Sequence, residues 1–398
     1  MSGGMLDGLS VLEFGRMVAA PYCGKLLADL GADVVKLEAP GTGDPARRRS
    51  PFPGDHPHPE RSGLFLYLNT SKRSITLSLQ TEGGRAIFRR LLAEADVLVE
   101  DCSPGELARL GLDPGDLAKQ FPRLVHTSIT PFGESGPYRD FRTHHLNVYH
   151  SSPHTTFSYA PEGEAKRAPA KAGRYLAEYD AGLTAALGTL AAALGSAATG
   201  RGQRVQVSKQ EALMCIERVD IGRQINPPKP PPWRGSLGGL LRAKDGYVMV
   251  TPVQDHQWLG LVRAMGSPEW TQSDACRDEM ARQEHREELQ PRIQAWAETL
   301  TRDEIYHGLQ QEGTPAGPVR TVAEVQEWEQ ARERGYFVEI EHPEAGTHSY
   351  PSVPYLFSGK GFGGSRAPLL GEHNEQVYGE RLGYSPSDLT FLTAAGVI

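Results

Sequence analysis

Cysteine is scarce in this chain. There are four in 398 residues, Cys23, Cys102, Cys215 and Cys276, far apart and with no CxxC among them. That spacing excludes a disulfide framework and a cysteine-based metal site, and it reads as buried thiols in a reducing cytoplasm. An excess of basic charge is also absent. Forty-two Lys and Arg stand against 49 Asp and Glu, a net charge of −7, which argues against nucleic acid as the main partner. No stretch of about 18 apolar residues free of charge and glycine breaks suggests a membrane span. The opening MSGGMLDGLS has no basic-then-apolar signal pattern. No internal repeat marks a solenoid.

What is present is globular: 39% hydrophobic and 23% charged residues, in a chain long enough for two domains. Val11–Phe14 reads as a strand, Pro21–Leu30 as a helix and Ala32–Glu38 as a second strand, a βαβ unit. The pattern recurs with a strand at Ser74–Leu79, a helix at Glu82–Ala95 and strands at Val97–Glu100 and Leu124–Thr130. The fold class expected is α/β, an open and mostly parallel sheet with helices on both faces. Glu38 ends the second strand where a ribose-binding acid would stand. The turn after Phe14, however, reads GRMVAAP rather than GxGxxG, so NAD and FAD are rejected.

The loop from Pro40 to Ser62 is too long for a simple connector. Its Arg47, Arg48 and Arg49 are either phosphate ligands or a solvated basic run. Ile225–Trp233, INPPKPPPW, reads as a semi-rigid proline linker and a domain boundary. Beyond it come a strand at Gly246–Val253 and helices at Asp255–Met265, Glu287–Leu300 and Arg302–Glu312, a smaller α+β domain. A hairpin around Glu344–Gly346 and a capped helical end from Gly371 to Ile398 follow. The domain bounds expected are 1–224 for the large domain, 225–330 for the linker and small domain, and 331–398 for a return segment.

The stretch from Arg174 to Leu213 is the richest. Glu178 and Asp180 open it, the small residues Ala181–Ala198 continue it, and a strand at Val205–Val207 and a new helical start end it. Alanine and glycine at this density let backbones approach closely. A carboxylate at the N-terminal end of such a helix sits where the dipole stabilises negative charge. It is either a nucleophilic or proton-transferring group or an acid favoured there for stability alone.

Six pieces in order then carry a likeness over nearly the whole chain. They are LDGLSVLEFGRMVAAPYCGKLLADLGADVVKLEAPGTGDPAR, LNTSKRSITLSL, DVLVEDCSPGELARLGLD, TSITPFGESGPY, GLTAALGTLAAALGSAATGRGQRVQVSKQEAL and PLLGEHNEQVYGERLGY. Together they resemble the family III CoA-transferases, whose superfamily includes the α-methylacyl-CoA racemases. The resemblance implies a Rossmann-like large domain, a smaller domain and an interlocked homodimer. It implies a cytoplasmic enzyme acting on acyl-CoA and carboxylic acids, with no resident cofactor, no metal, no nucleic acid and no membrane. In such transferases an aspartate attacks the acyl-CoA thioester, an acyl–aspartyl anhydride forms, CoA leaves and returns, and an aspartyl–CoA thioester hands CoA to the acceptor.

The motif aspartate lies ten residues before one glycine and four before another. Counting from Gly188 and Gly182 gives Glu178, with Asp180 out of register. Glutamate can form the same anhydride, one methylene further out. The segment RTHHLNVYHSSPH places His145 where the racemases carry a catalytic histidine, with Leu146 in place of the acid beside it. A racemase or isomerase exchanging an α-proton between His145 and Glu178 is thus an alternative, and a CoA-binding dimer without turnover is another. His144, His145, His150 and His154 form a metal cluster, an acid–base group or a polar loop. By the resemblance, Arg16, Met17 and Ala19 hold the adenosine diphosphate of CoA, Lys72 lies near the phosphates, and Arg109 and Leu110 contact phosphate and adenine.

Overall fold

The computed structural model describes residues 4–154, 172–225, 237–358 and 364–398. The linker at 226–236 lies outside them, so its expected stiffness is not addressed. The chain forms two compact units, residues 1–222 with 335–398, and residues 223–334.

The first unit is built on six parallel strands: β1 (Ser10–Phe14), β2 (Asp33–Glu38), β3 (Arg73–Thr76), β4 (Val97–Glu100), β5 (Val125–Thr130) and β6 (Arg204–Ser208). Their spatial order is β3-β2-β1-β4-β5-β6. Val11 pairs with Val34 on one side and Val97 on the other. Successive side chains alternate between faces. Leu12, Val35, Ile75 and Leu98 point to one core, with Ile87, Phe88 and Leu91 of α3 (Glu82–Ala93) and Val377 and Tyr378 near the C-terminus. Val11, Val34, Val97, Val99 and Ile129 point to the other, with α1 (Ala19–Asp29) and α7 (Leu176–Thr199). Both faces are covered, which is why the strands are almost continuously apolar.

Between β1 and β4 stand α2 (Gly63–Leu68) and α3; after β4 come α4 (Glu106–Arg109) and α5 (Pro114–Gln120), and after β5 α6 (His145–His150) and α7. Close approach of α7 to α1 depends on Gly182. A Cβ there would lie 2.6 Å from the Ala19 carbonyl oxygen. By length and composition alone α7 is apolar enough to cross a membrane, although Gly182, Gly188 and Gly195 interrupt it. Its inner side packs on α1, β5 and β6.

The strand expected at Ser74–Leu79 leaves the ladder after Thr76. Leu77 and Leu79 stay buried because the C-terminal segment covers them, with the Ser78 amide donating to the Val397 carbonyl (2.8 Å). Tyr378 likewise donates its hydroxyl to the Thr76 carbonyl (2.7 Å). The hairpin is present as β10 (Phe337–His342) and β11 (Gly346–Pro351). The second unit pairs β7 (Gly239–Ala243), β8 (Gly246–Val250) and β9 (Ala316–Pro318) in an antiparallel sheet. The helices Asp255–Ala264, Arg286–Ala297 and Arg302–Gln311 complete its core, with Trp258, Ile293 and Leu309 fully enclosed. Cys23, Cys102 and Cys276 are buried free thiols, but Cys215 is exposed, so burial of all four does not hold.

Candidate active site

In an open parallel sheet, ligands bind beyond the carboxyl ends of the strands where the strand order reverses. Here that place lies between β1 and β4, and two segments meet there. One is the turn Gly15–Val18 after β1. The other is Asp101 after β4, whose carboxylate accepts the Arg16 amide at 3.0 and 3.2 Å. The Lys36 ammonium donates to the Gly15 carbonyl (2.9 Å) and Asp44 accepts the Met17 amide (3.0 Å). Met17 has φ of 63°, a left-handed conformation that a side chain disfavours. Bonds from β2, from the loop that follows it and from the end of β4 therefore hold a strained turn in place.

Beneath the turn lies a buried ionic network. Lys36 pairs with Glu13 and Asp44, both at 2.9 Å, and Lys72 with Glu13 at 2.7 Å. Burial alone would lower Lys36, but Asp44 and Glu13 outweigh it and raise the ammonium above its ordinary value. Lys72 differs from its expected place near a phosphate. Its side chain is fully enclosed, and Glu13, the Pro21 carbonyl (2.7 Å) and Asn69 (2.9 Å) use all three ammonium hydrogens. Burial pulls its pKa down to about 8. Lys72 is a brace under the turn. Arg47 is equally enclosed, forked on Glu38 (2.7 and 2.8 Å) and stacked on Phe65, so it is neither a phosphate ligand nor a solvated residue. Arg48 and Arg49 are exposed.

The other expected CoA residues lie around the turn. Arg16 is half exposed and pairs with Glu106 (3.1 Å) at the start of α4. Arg109 is exposed at the end of α4, whereas Leu110 packs against the sheet core. Ala19 is fully buried at the start of α1. A polar cavity of about 430 Å³ opens nearby, lined by Glu100, Cys102, Gly105, Ser128, Glu134 and Arg204. That volume is in the range of small-molecule sites.

Glu178 stands in the first turn of α7. Its Oε2 receives the Lys209 ammonium at 2.5 Å, and each side chain is only 13% exposed. Lys209 is the first residue of α8 (Lys209–Ile216), directly after β6. Both groups thus belong to the carboxyl end of the sheet. Lys209 and Asp101 escaped the sequence reading. A signal existed for the lysine, because a cation in the first turn of a helix opposes the dipole by about 0.3–1 kcal/mol and calls for an anionic partner. Asp101 feels the same lysine. Burial pushes its carboxyl up to about 7, against the pull of Lys209 and Arg16.

Asp180, two residues on, is half buried, and burial raises its pKa against the opposing pull of His154. Its Oδ2 has no hydrogen-bond partner among the described residues. Tyr179 between the two acids packs edge-on against Tyr22 at 4.9 Å.

The histidines do not converge. His144 caps α6, His145 lies 4.8 Å from the Tyr175 ring, His150 is exposed and His154 pairs with Glu217. Among the described residues no group of three or more potential metal ligands forms.

Comparison with known proteins agrees with the residues quoted above. Residues 6–374 match CoA-transferase family III. A formyl-CoA:oxalate CoA-transferase of Streptomyces avermitilis is 32% identical, over 99% of both chains. A succinyl-CoA–D-citramalate CoA-transferase of Chloroflexus aurantiacus is 30% identical, over 99% of this chain and 98% of the relative. In three dimensions, a CaiB/BaiF family protein of Brucella suis superposes with a TM-score of 0.83 at 30% identity, covering 95% of this chain and all of that one. The protein Rv3272 of Mycobacterium tuberculosis, in its orthorhombic form, gives 0.81 at 29%, covering 94% and 98%. With the parallel sheet, its clamped first turn and the carboxylate at its rim, these likenesses make the chain a member of family III of the CoA-transferases, an enzyme of CoA transfer.

Proposed function

We propose that this enzyme moves CoA from an acyl-CoA to a free carboxylic acid, with Glu178 as the covalent carrier. The Glu178 carboxylate attacks the thioester carbonyl, CoA leaves as thiolate, and an acyl–glutamyl anhydride remains. The thiolate then attacks the Glu178 carbonyl, releasing the first acid and leaving a glutamyl–CoA thioester. The acceptor carboxylate attacks that carbonyl and expels the thiolate, which attacks the new anhydride at the acceptor's carbonyl. The product acyl-CoA departs and Glu178 is a carboxylate again. Every step exchanges one acyl bond for another, so no resident cofactor or metal is required.

The observation that carries this reading is the position of Glu178. It is in register with the motif glycines Gly182 and Gly188, at the helix start, in contact with a lysine at the carboxyl edge of the sheet. Asp180 has no cation beside it at comparable distance among the described residues. Arg16 and Arg109, beside the Gly15–Val18 turn, supply guanidinium donors suited to a polyanionic cofactor portion such as the CoA diphosphate. The relatives' names pair CoA with formate, oxalate, succinate and citramalate, and a small carboxylic acid is the acceptor class we take to this chain.

Glu178→Gln keeps the shape and removes the attacking oxygen anion. CoA should still bind, while transfer falls by several orders of magnitude. Wild-type enzyme incubated with acyl-CoA and then hydroxylamine or borohydride should carry the trapped modification on Glu178. Modification at Asp180, with Glu178→Gln active, would show that the other carboxylate is the carrier.

A homodimer belongs to the same proposal. It is supported by the full-length family likeness and by a stripe of exposed leucines on α7, Leu183, Leu187 and Leu194, which suits a protein partner. Sedimentation at micromolar concentration tests it, and a stable 43.5 kDa monomer would defeat it.

A further inference from the structure

Lys209 is placed to do more than neutralise the resting enzyme. Its ammonium lies 2.5 Å from Glu178 Oε2, and both side chains are largely withdrawn from water. It is held there at a dipole cost, at the first position of α8. The pair is balanced only while Glu178 is ionised. Conversion of Glu178 to the anhydride or the thioester removes the negative charge and leaves the ammonium without its counter-ion. A cation in a poorly solvated place then needs a new anion.

The other charged groups facing this point do not supply one. Asp101 is within electrostatic reach of Lys209, but no ion pair joins the two among the described residues, where Lys209 is turned to Glu178, and burial pushes the Asp101 carboxyl toward its neutral form while it accepts the Arg16 amide. Arg16 is itself a cation and is turned to Glu106.

We propose that Lys209 is the acceptor-carboxylate subsite: once Glu178 carries CoA, the freed ammonium binds the carboxylate of the incoming acid beside the Glu178 carbonyl. This rests on Glu178 being the covalent carrier. The position suits the chemistry. An acid oxygen held by the same ammonium that touched Oε2 lies next to the carbon it must attack. The ammonium also faces the oxyanion that develops as the carbonyl becomes tetrahedral. In the resting enzyme Glu178 occupies the lysine, so a free acid competes poorly before CoA is loaded. The order of the two half-reactions follows from charge: donor first, acceptor second.

The test needs no turnover, because Glu178→Gln imitates the neutral side chain of the anhydride or thioester. Oxalate and formate serve as probes, titrated by calorimetry into wild type, Glu178→Gln, and the double variant Glu178→Gln with Lys209→Met. Glu178→Gln should bind at least one probe roughly tenfold more tightly than wild type, the scale of one charge-assisted hydrogen bond. The double variant should lose the gain, and a Lys209→Arg version should keep most of it. Circular dichroism and melting curves verify that all variants are folded. Equal affinity of wild type and Glu178→Gln, or a gain that survives Lys209→Met, overturns the subsite. The trapping experiment separates this from the reading beneath it. A modification on Glu178 with no anion gain overturns the subsite alone. A modification on another residue overturns the covalent role of Glu178, and with it the role given to Lys209.

Discussion

The length of the Glu178 side chain is the most exposed point of this account. Glu178→Asp restores the residue that the family resemblance implies at this position and removes one methylene. With the backbone fixed, the carboxylate retreats by about 1.5 Å, one carbon–carbon bond. The contact with Lys209, 2.5 Å in the native enzyme, then opens to roughly 4 Å if nothing else moves. The helix is in no position to follow. Ala177 and Ala181 are buried on either side of Glu178, and Gly182 already lies so close to α1 that a Cβ there would be 2.6 Å from the Ala19 carbonyl oxygen. A misplacement of this size costs on the order of 10²-fold in covalent catalysis, equivalent to about 2.7 kcal/mol of barrier. The assay is kcat for CoA transfer between succinyl-CoA and a panel of small acids, read by mass spectrometry of the product thioesters. Hydroxylamine trapping of the adduct runs in parallel. Melting curves should coincide within a few degrees, since charge and burial are little changed. An aspartate variant as active as wild type, or more so, would refute the reasoning: the site would then be shaped for the shorter acid.

Three further expectations follow from the same surroundings. Lys36→Ala removes the cation shared by Glu13, Asp44 and the Gly15 carbonyl and should destabilise the protein by about 3–5 kcal/mol, the cost of breaking a buried ionic group; a loss under about 1 kcal/mol by urea denaturation would mean the network contributes little. Asp101 sits at about 7 in the folded protein through burial and near 3.9 when unfolded; the folded state holds this proton more tightly, so the stability it contributes is complete below about pH 4 and is lost as pH rises through about 7. Asp101→Asn should therefore flatten the decline of melting temperature between about pH 4 and pH 7, and parallel curves for the two proteins would remove Asp101 as its source. Arg109→Ala should weaken CoA binding by about 1.5–3 kcal/mol if the exposed guanidinium holds a phosphate, and an unchanged dissociation constant in calorimetry would take Arg109 out of the site.

What the sequence disclosed and what it hid divide along the range of the interactions involved. Val97–Glu100 and Val125–Thr130 were legible because a strand covered on both faces must be apolar at nearly every position. The helix carrying Glu178 was legible because only small side chains permit the approach that Gly182 makes to Ala19. The strand at Ser74 was read too long because Leu77 and Leu79 are buried by the distant C-terminal segment, and burial by a tail and burial by a ladder leave the same apolar pattern. Lys72 and Arg47 were open to a phosphate reading because a basic residue alone does not announce that Glu13 or Glu38 will enclose it. The histidine-rich segment failed as a cluster for a related reason. Six of its residues become a short helix, α6, which turns neighbours in sequence to different sides. Lys209 is the instructive case. Its partner is 31 residues away, so no local motif joins them, but its placement at the wrong end of a helix dipole is visible in the sequence once β6 and α8 are drawn. A charge that its own helix disfavours is held there by something outside the helix, and here that is the carboxylate on which the proposed chemistry turns.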